Sequence, residues 1–132
     1  MRFIVMSMMN EEAIPAAPPK PESYVAMQKY NEDAVKSGVL LAAEGLTPKK
    51  VRVKFDGEQR LVVDGPFTES KELVAGFMII KANSLDEAIE WVKRAPNVSP
   101  DGKGLVEIRK LMDIEDFGPG FTPNEEIAKV KF

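Results

Sequence analysis

The stretch that decides the fold is Leu73-Val74-Ala75-Gly76-Phe77-Met78-Ile79-Ile80-Lys81-Ala82, followed by Asn83-Ser84-Leu85-Asp86-Glu87-Ala88-Ile89-Glu90-Trp91-Val92. The first half is apolar at consecutive positions, as expected of a strand that is covered on both faces. The second half opens on a capping box, Ser84 to Glu87, in which the serine hydroxyl and the glutamate carboxylate each take a helix-terminal N–H. Behind the box, Leu85, Ala88, Ile89 and Val92 recur at helical spacing, and Pro96 ends the run. A central strand followed at once by an amphipathic helix is half of a βαβ-type unit.

Working toward the N-terminus, Asp64-Gly65-Pro66-Phe67 reads as a sharp turn, with Thr68 capping a single helical turn after it. Before it lies Val51-Arg52-Val53-Lys54-Phe55, whose strict alternation predicts a half-buried strand. Asp56-Gly57 reads as a two-residue hairpin turn, and Arg60 to Val63 as the returning strand. Val39 to Ala43 predicts a short strand. Ahead of it a helix starts near Pro21, with Tyr24, Met27, Tyr30 and Ala34 on one face and Gly38 as its stop. Residues 10 to 20, with Pro15, Pro18 and Pro19, predict an irregular crossover. Arg2 to Met8 is a first strand, again apolar on both faces.

Toward the C-terminus, Leu105 to Met112 predicts the last strand. The tail predicts a short helix opened by a second capping box, Thr122 to Glu125, with Ile127 and Val130 on one face.

With the hairpin at 51 to 63 set aside, the order is β-α-β-β-α-β. The expected fold class is therefore α+β, a ferredoxin-like βαββαβ arrangement with an inserted β-hairpin, its two helices on one face of an antiparallel sheet. Residues 1–118 form the expected domain and 119–132 a C-terminal tail. At 132 residues, 44% of them hydrophobic, the chain is long enough for one core that buries roughly two-thirds of the unfolded surface. Two helices cover one sheet face, yet residues 3 to 8 and 73 to 80 are apolar on both. Either the tail, with Phe117, Phe121 and Phe132, folds over the other face or a second copy does. A symmetric homodimer is the commoner solution and is expected here.

Composition excludes several chemistries. There is no histidine and no cysteine, hence no thiolate nucleophile, imidazole base, Ser-His-Asp triad or ordinary zinc site. The 18 basic and 21 acidic residues are interspersed and leave a net charge of −3, without the basic stripe that nucleic acid demands. The longest apolar runs are too short to span a membrane, and the N-terminal run is broken by Asn10-Glu11-Glu12 before it becomes a signal peptide, so a cytoplasmic location is expected.

Carboxylates carry what site hypotheses remain. Asp64 has a structural reading, as the cap of its turn, and a functional one, as a base or ligand anchor at a strand end. Glu44, before Gly45 at the end of the second strand, faces the same opening if strand ends gather at one rim; otherwise it is an exposed rim carboxylate. Glu69 and Glu72 share a helical face if the turn after Asp64 is helical, as a proton-sharing pair, as an oxygen-ligand metal site or as solvated charges. Asp64, Glu44 and Glu72 are the candidate catalytic residues; no metal or other cofactor is expected. Arg52, Lys54 and Arg60 are assigned to the outward face of the hairpin, where they solubilise it or, in a functional reading, capture an anion near a pocket. Trp91 sits beside the main apolar stripe of its helix and is expected under the tail or at a dimer edge.

The run Asp64-Gly65-Pro66-Phe67-Thr68-Glu69-Ser70-Lys71-Glu72-Leu73 with Ala75-Gly76-Phe77 resembles the signature of the DGPF family, which belongs with the YCII-related domains of the dimeric α/β-barrel group. Lys29-Tyr30-Asn31-Glu32, Ser37-Gly38-Val39-Leu40-Leu41, Glu44-Gly45-Leu46-Thr47-Pro48, Asp86-Glu87-Ala88-Ile89-Glu90-Trp91 and Glu107-Ile108-Arg109 agree in order and spacing, from residue 2 to about 118. The resemblance implies a protomer that pairs sheet to sheet with a second copy. YCII-type relatives pair a histidine with an aspartate in a cleft, and half of that pair is missing here. The resemblance further implies, as a possible partner, an extracytoplasmic-function sigma factor. Three functions follow as expectations: a homodimeric small-ligand-binding or regulatory protein, a small proton-transfer or lyase-type enzyme acting on a polar metabolite through carboxylates, and a sigma-factor accessory protein.

Overall fold

A computed structural model describes residues 1–10, 20–65, 72–99 and 102–130. Its elements run β1 (Arg2–Asn10), α1 (Pro21–Lys36), β2 (Leu40–Gly45), β3 (Arg52–Asp56), β4 (Gln59–Val63), β5 (Glu72–Lys81), α2 (Leu85–Lys93) and β6 (Leu105–Lys110), then a 3₁₀ turn (Ile114–Phe117) and a short helix α3 (Glu125–Ala128). Four strands form one sheet in the order β2-β5-β1-β6, and β3 and β4 form a separate ribbon. Every neighbouring pair is antiparallel. This is the ferredoxin-like α+β order that the sequence predicts.

Register puts Phe3 opposite Ile80 and Val5 opposite Met78, on the face that carries the core. Phe3 and Ile80 are each 1% exposed and are the largest fully buried side chains among the described residues. Ala88 of α2 is completely buried against them, with Trp91 and Val92 beside it. An alanine at the closest point lets the helix axis approach the sheet, while the larger side chains on either side fill the flanks. α1 contributes Tyr30 and Ala34 to the buried set.

The ends of α2 are built as its sequence dictates. The Glu87 N–H donates to the Ser84 hydroxyl at 3.1 Å, and the Glu87 carboxylate accepts from the Asn83 N–H at 3.0 Å. The box therefore reaches one residue further back than the usual return to the N-cap itself. α1 ends as expected, with Gly38 at φ 73°.

Four local expectations are corrected. The hairpin turn is Gly57-Glu58, one residue later than expected, because Asp56 pairs with Gln59 inside the ladder; Gly57 takes the positive φ that this turn needs. The hairpin is not half-buried: of the ten residues of β3 and β4 nine are exposed and only Arg52 is partly buried. Alternation marks two unlike faces, but it does not supply a layer to cover the apolar one. Register also separates the three cations. Arg60 lies opposite Phe55 and stacks over its ring at 4.2 Å, so it shares the face of Val53 and Val62 rather than that of Arg52 and Lys54. In the tail, Asn124 rather than Thr122 caps α3, its side-chain oxygen accepting from the Glu126 and Ile127 N–H groups. The expectations on Thr68, Glu69, the crossover after Asn10 and Phe132 fall outside the described residues.

No described helix is long and apolar enough to cross a membrane. The face of the sheet away from the helices carries Ile4, Met6, Ile79 and Phe77 at its centre, and Ile4, Met6 and Phe77 stay partly exposed.

Removing the Phe3 ring should cost about 3–5 kcal/mol in a urea titration of Phe3→Ala, whereas Ser84→Ala, which deletes one cap, should cost about 1 kcal/mol. A Phe3→Ala loss no larger than the cap's would contradict the core described here.

Candidate functional site

The helix-facing side of the sheet is graded in side-chain size from one end to the other. At one end Leu40, Ile80 and Phe3 stand side by side across β2, β5 and β1. The next row is Ala43, Met78, Val5 and Ile108, across all four strands. The third is Gly45, Gly76, Ser7 and Val106. The bulky row fills the space beneath the helices and the small row leaves it empty.

A cavity of about 520 Å³ opens over that third row. Its floor includes Ser7, Gly45 and Gly76, its roof Met27 and Tyr30 of α1, and one wall Val92, Ala95 and Val98 at the end of α2 and beyond. Strand glycines are commonly found where another backbone or a ligand comes close, and at Gly76 another backbone does. A Cβ there would stand 3.1 Å from the Glu44 carbonyl oxygen and 3.4 Å from the Gly45 Cα. Beside it the β1–β5 register slips between Ser7 and Met8, an irregularity of the kind found at the edges of sites.

The roof is fixed by one side chain. The Tyr30 hydroxyl donates to the Trp91 carbonyl at 2.7 Å, tying α1 to the last turn of α2. The two rings meet edge to face at 6.5 Å and 62°. Arg94 lies 4.6 Å over the Trp91 ring. Trp91 thus packs between the helices rather than under the tail. Burial pushes the Tyr30 hydroxyl above the ordinary tyrosine value, against a smaller opposing pull from the Arg94 cation.

The remaining polar groups at the cavity are neutral: Ser7, Ser23, Asn31 and the phenol of Tyr24, which is 56% exposed at the first turns of α1. Among the described residues, Glu44 is the single charged one of the lining. It lies between Ala43 and Gly45 on β2, opposite Phe77, so strand alternation places its side chain on the opposite face. What it presents to the floor is its backbone.

The three carboxylates singled out from sequence are all exposed. Asp64 follows β4 on the chain's return from the hairpin. Glu72 begins β5 opposite Asn10, and Glu44 lies opposite Phe77, five residues further along the same strand. At about 3.3 Å per residue that separates the levels of Glu72 and Glu44 by about 16 Å. Among the described residues no three acidic side chains cluster closely enough to hold a metal ion. The cavity residues Ser7, Asn31 and Gly76 carry no reactive group, and only the register brings them together. The glycine inside an otherwise apolar strand was the one signal available in sequence.

Two comparisons bear on this geometry. The family model described as the YCII-related domain matches residues 1–115. An uncharacterized protein, R00369, of Rhizobium meliloti (strain 1021) is 31% identical over 107 residues, which is 77% of this chain and 86% of that protein.

Tyr30→Phe keeps the ring and removes the bond between the helices, and should lower stability by about 1 kcal/mol. The pH dependence has a definite sign. Tyr30 binds its proton more tightly folded than unfolded, so its contribution is complete below the unfolded value near 10 and is lost as pH rises through the higher folded value. Chemical denaturation measured from pH 9 to 11.5 should show that decline in the parent protein and a shallower one in Tyr30→Phe.

Proposed function

The chain belongs to the YCII-related family, and from that premise we propose that it is a homodimeric binding protein for a small, largely apolar, uncharged molecule held in the cavity over Gly45, Gly76 and Ser7. One observation carries the reading: the lining joins Met27, Met78, Val5 and Val106 to a few neutral hydrogen-bonding groups, and no charged side chain of the described residues is directed into it. Specific small-molecule sites have this composition, an apolar wall with a few placed polar groups. The methionines add tolerance of shape. A purely anionic ligand would find no cation among the described lining residues, and desolvating it would go uncompensated.

The same lining supports retention rather than turnover. General acid–base catalysis needs a group whose pKa lies near the working pH within hydrogen-bond reach of the reacting atom. Serine hydroxyls, an asparagine amide and a phenol already bonded to the Trp91 carbonyl bind and orient without meeting that requirement. For the second copy, support comes from the open sheet face. Ile4, Met6, Phe77 and Ile79 form an apolar centre flanked by Arg109 and Glu107 on β6, the pattern of an interface core with a charged rim.

Titration with N-phenyl-1-naphthylamine, a neutral apolar fluorophore, tests the reading. Saturable binding at one site per protomer is expected, and Ser7→Leu, which fills the floor, should weaken it about tenfold, a change of about 1.4 kcal/mol, at unchanged melting temperature. Unsaturable binding, or equal affinity in Ser7→Leu, would refute a cavity site. Native mass spectrometry of the same samples should give a dimer.

A further inference from the structure

We infer that the β3–β4 hairpin of one copy seats in the groove that the C-terminal tail forms on a second copy, so that the dimer is clasped twice. The inference rests on the homodimer proposed above and adds which elements exchange.

The hairpin lacks cover. Val53, Phe55 and Val62 share one of its faces, and Phe55 and Val62 are 70% and 72% exposed. A lone two-stranded ribbon is marginal in water. The tail presents the complementary problem. Arg2, Met112, Ile114, Phe117, Phe121 and Ile127 line a groove of about 560 Å³, with the Phe117 and Phe121 rings stacked at 4.2 Å and Ile127 71% exposed. Its one helix, α3, is four residues long, far below the length that persists alone.

Charge matches the two. Residues 49 to 64 carry five cations (Lys49, Lys50, Arg52, Lys54 and Arg60) against Asp56, Glu58 and Asp64. Residues 111 to 128 carry Asp113, Glu115, Asp116, Glu125 and Glu126 and no cation. Lys110, reaching in from β6, engages Asp116 at 2.9 Å and Asp113 at 3.3 Å, Lys129 engages Glu126 at 3.1 Å, and Arg2 lines the groove; against these three cations the five carboxylates leave the region net acidic.

The chain's own hairpin and tail lie at opposite ends of the sheet. The hairpin leaves beyond Gly45 and returns to Glu72, whereas the tail leaves β6 at Lys110, which pairs with Phe3. The ten residues of β5 span about 30 Å between those ends, and each hairpin strand of five residues reaches about 16 Å. A second copy removes the separation. Two sheets packed open face to open face about a two-fold axis crossing the strands lie head over foot, which brings each hairpin to the partner's tail. Arg2, which lines the groove, is on that open face, opposite Lys81.

Charges on the open face select this axis over the alternative. Arg109 is level with Ile4 and Glu107 with Met6. An axis crossing the strands at the level of Val5 sets Arg109 over the partner's Glu107, twice. An axis parallel to the strands lays β6 over the partner's β2 and sets Glu107 over the partner's Glu44, because both are level with Met6 and Phe77. Like charges facing each other across an interface cost several kcal/mol.

Zero-length carbodiimide cross-linking tests the clasp. Dimers of ¹⁴N- and ¹⁵N-labelled chains, whose mixing is verified by native mass spectrometry, are cross-linked and digested. Cross-links between Lys49, Lys50 or Lys54 and Glu115, Glu125 or Glu126 should carry mixed isotopes, while the local pair Lys129–Glu126, 3.1 Å apart, also links within one isotope and serves as the control. In parallel, Phe55→Ser/Val62→Ser should raise the dimer dissociation constant at least about tenfold. Mixed dimers without hairpin–tail links, together with an unchanged dissociation constant, would overturn the clasp and leave the dimer standing. A monomer in native mass spectrometry would overturn the homodimer itself and the clasp with it.

Discussion

The two helices rest on a surface whose relief is set by three rows of side chains. Where Phe3 and Ile80 stand together, the space between helix and sheet is filled and the protein is held shut. Burial of apolar surface is the dominant favourable term in folding, and here it is concentrated at one end. The helices are carried across the sheet at a height fixed by that bulky row and by the Tyr30–Trp91 bond. Over the row of Gly45, Gly76, Ser7 and Val106 the same height leaves a void. Core and cavity are thus two consequences of one gradient.

Much of the fold was legible because it depends on periodicities a single segment carries. Consecutive apolar residues marked β1 and β5, the Ser84–Glu87 box marked the start of α2, and Gly38 marked the end of α1. Their order alone specified a ferredoxin-like sheet. The site was not legible, for a physical reason. Ser7 and Gly76 are separated by about half of the chain and meet only through strand register, which pattern does not fix. Reading for reactive groups led to Asp64, Glu44 and Glu72, residues with chemistry but without burial. The cavity is instead defined by small side chains, which carry no chemistry to be noticed.

The shorter-range misreadings share a cause. Asp56-Gly57 and Thr122-x-x-Glu125 are good local signals, but each competed with an adjacent one. Ladder pairing of Asp56 with Gln59 moved the turn to Gly57-Glu58, and Asn124, able to reach two N–H groups at once, displaced the threonine as cap. The half-buried reading of the hairpin failed differently. Alternation in Val51, Val53 and Phe55 is genuine, and the layer that would give it meaning is not supplied by this chain's own helices.

The edge-to-face meeting of Tyr30 and Trp91 has a use of its own. Trp91 is the chain's single indole and Tyr30 one of its two phenols, with the Arg94 guanidinium over the indole face. At 6.5 Å a phenol excited in the ultraviolet passes its energy almost wholly to the indole beside it, and its own emission returns only when the rings part well beyond that distance. The emission spectrum of the unlabelled protein therefore reports whether α1 and α2 stay together, readable in stopped flow without a dye. Separation of the two helices announces itself as recovered tyrosine light.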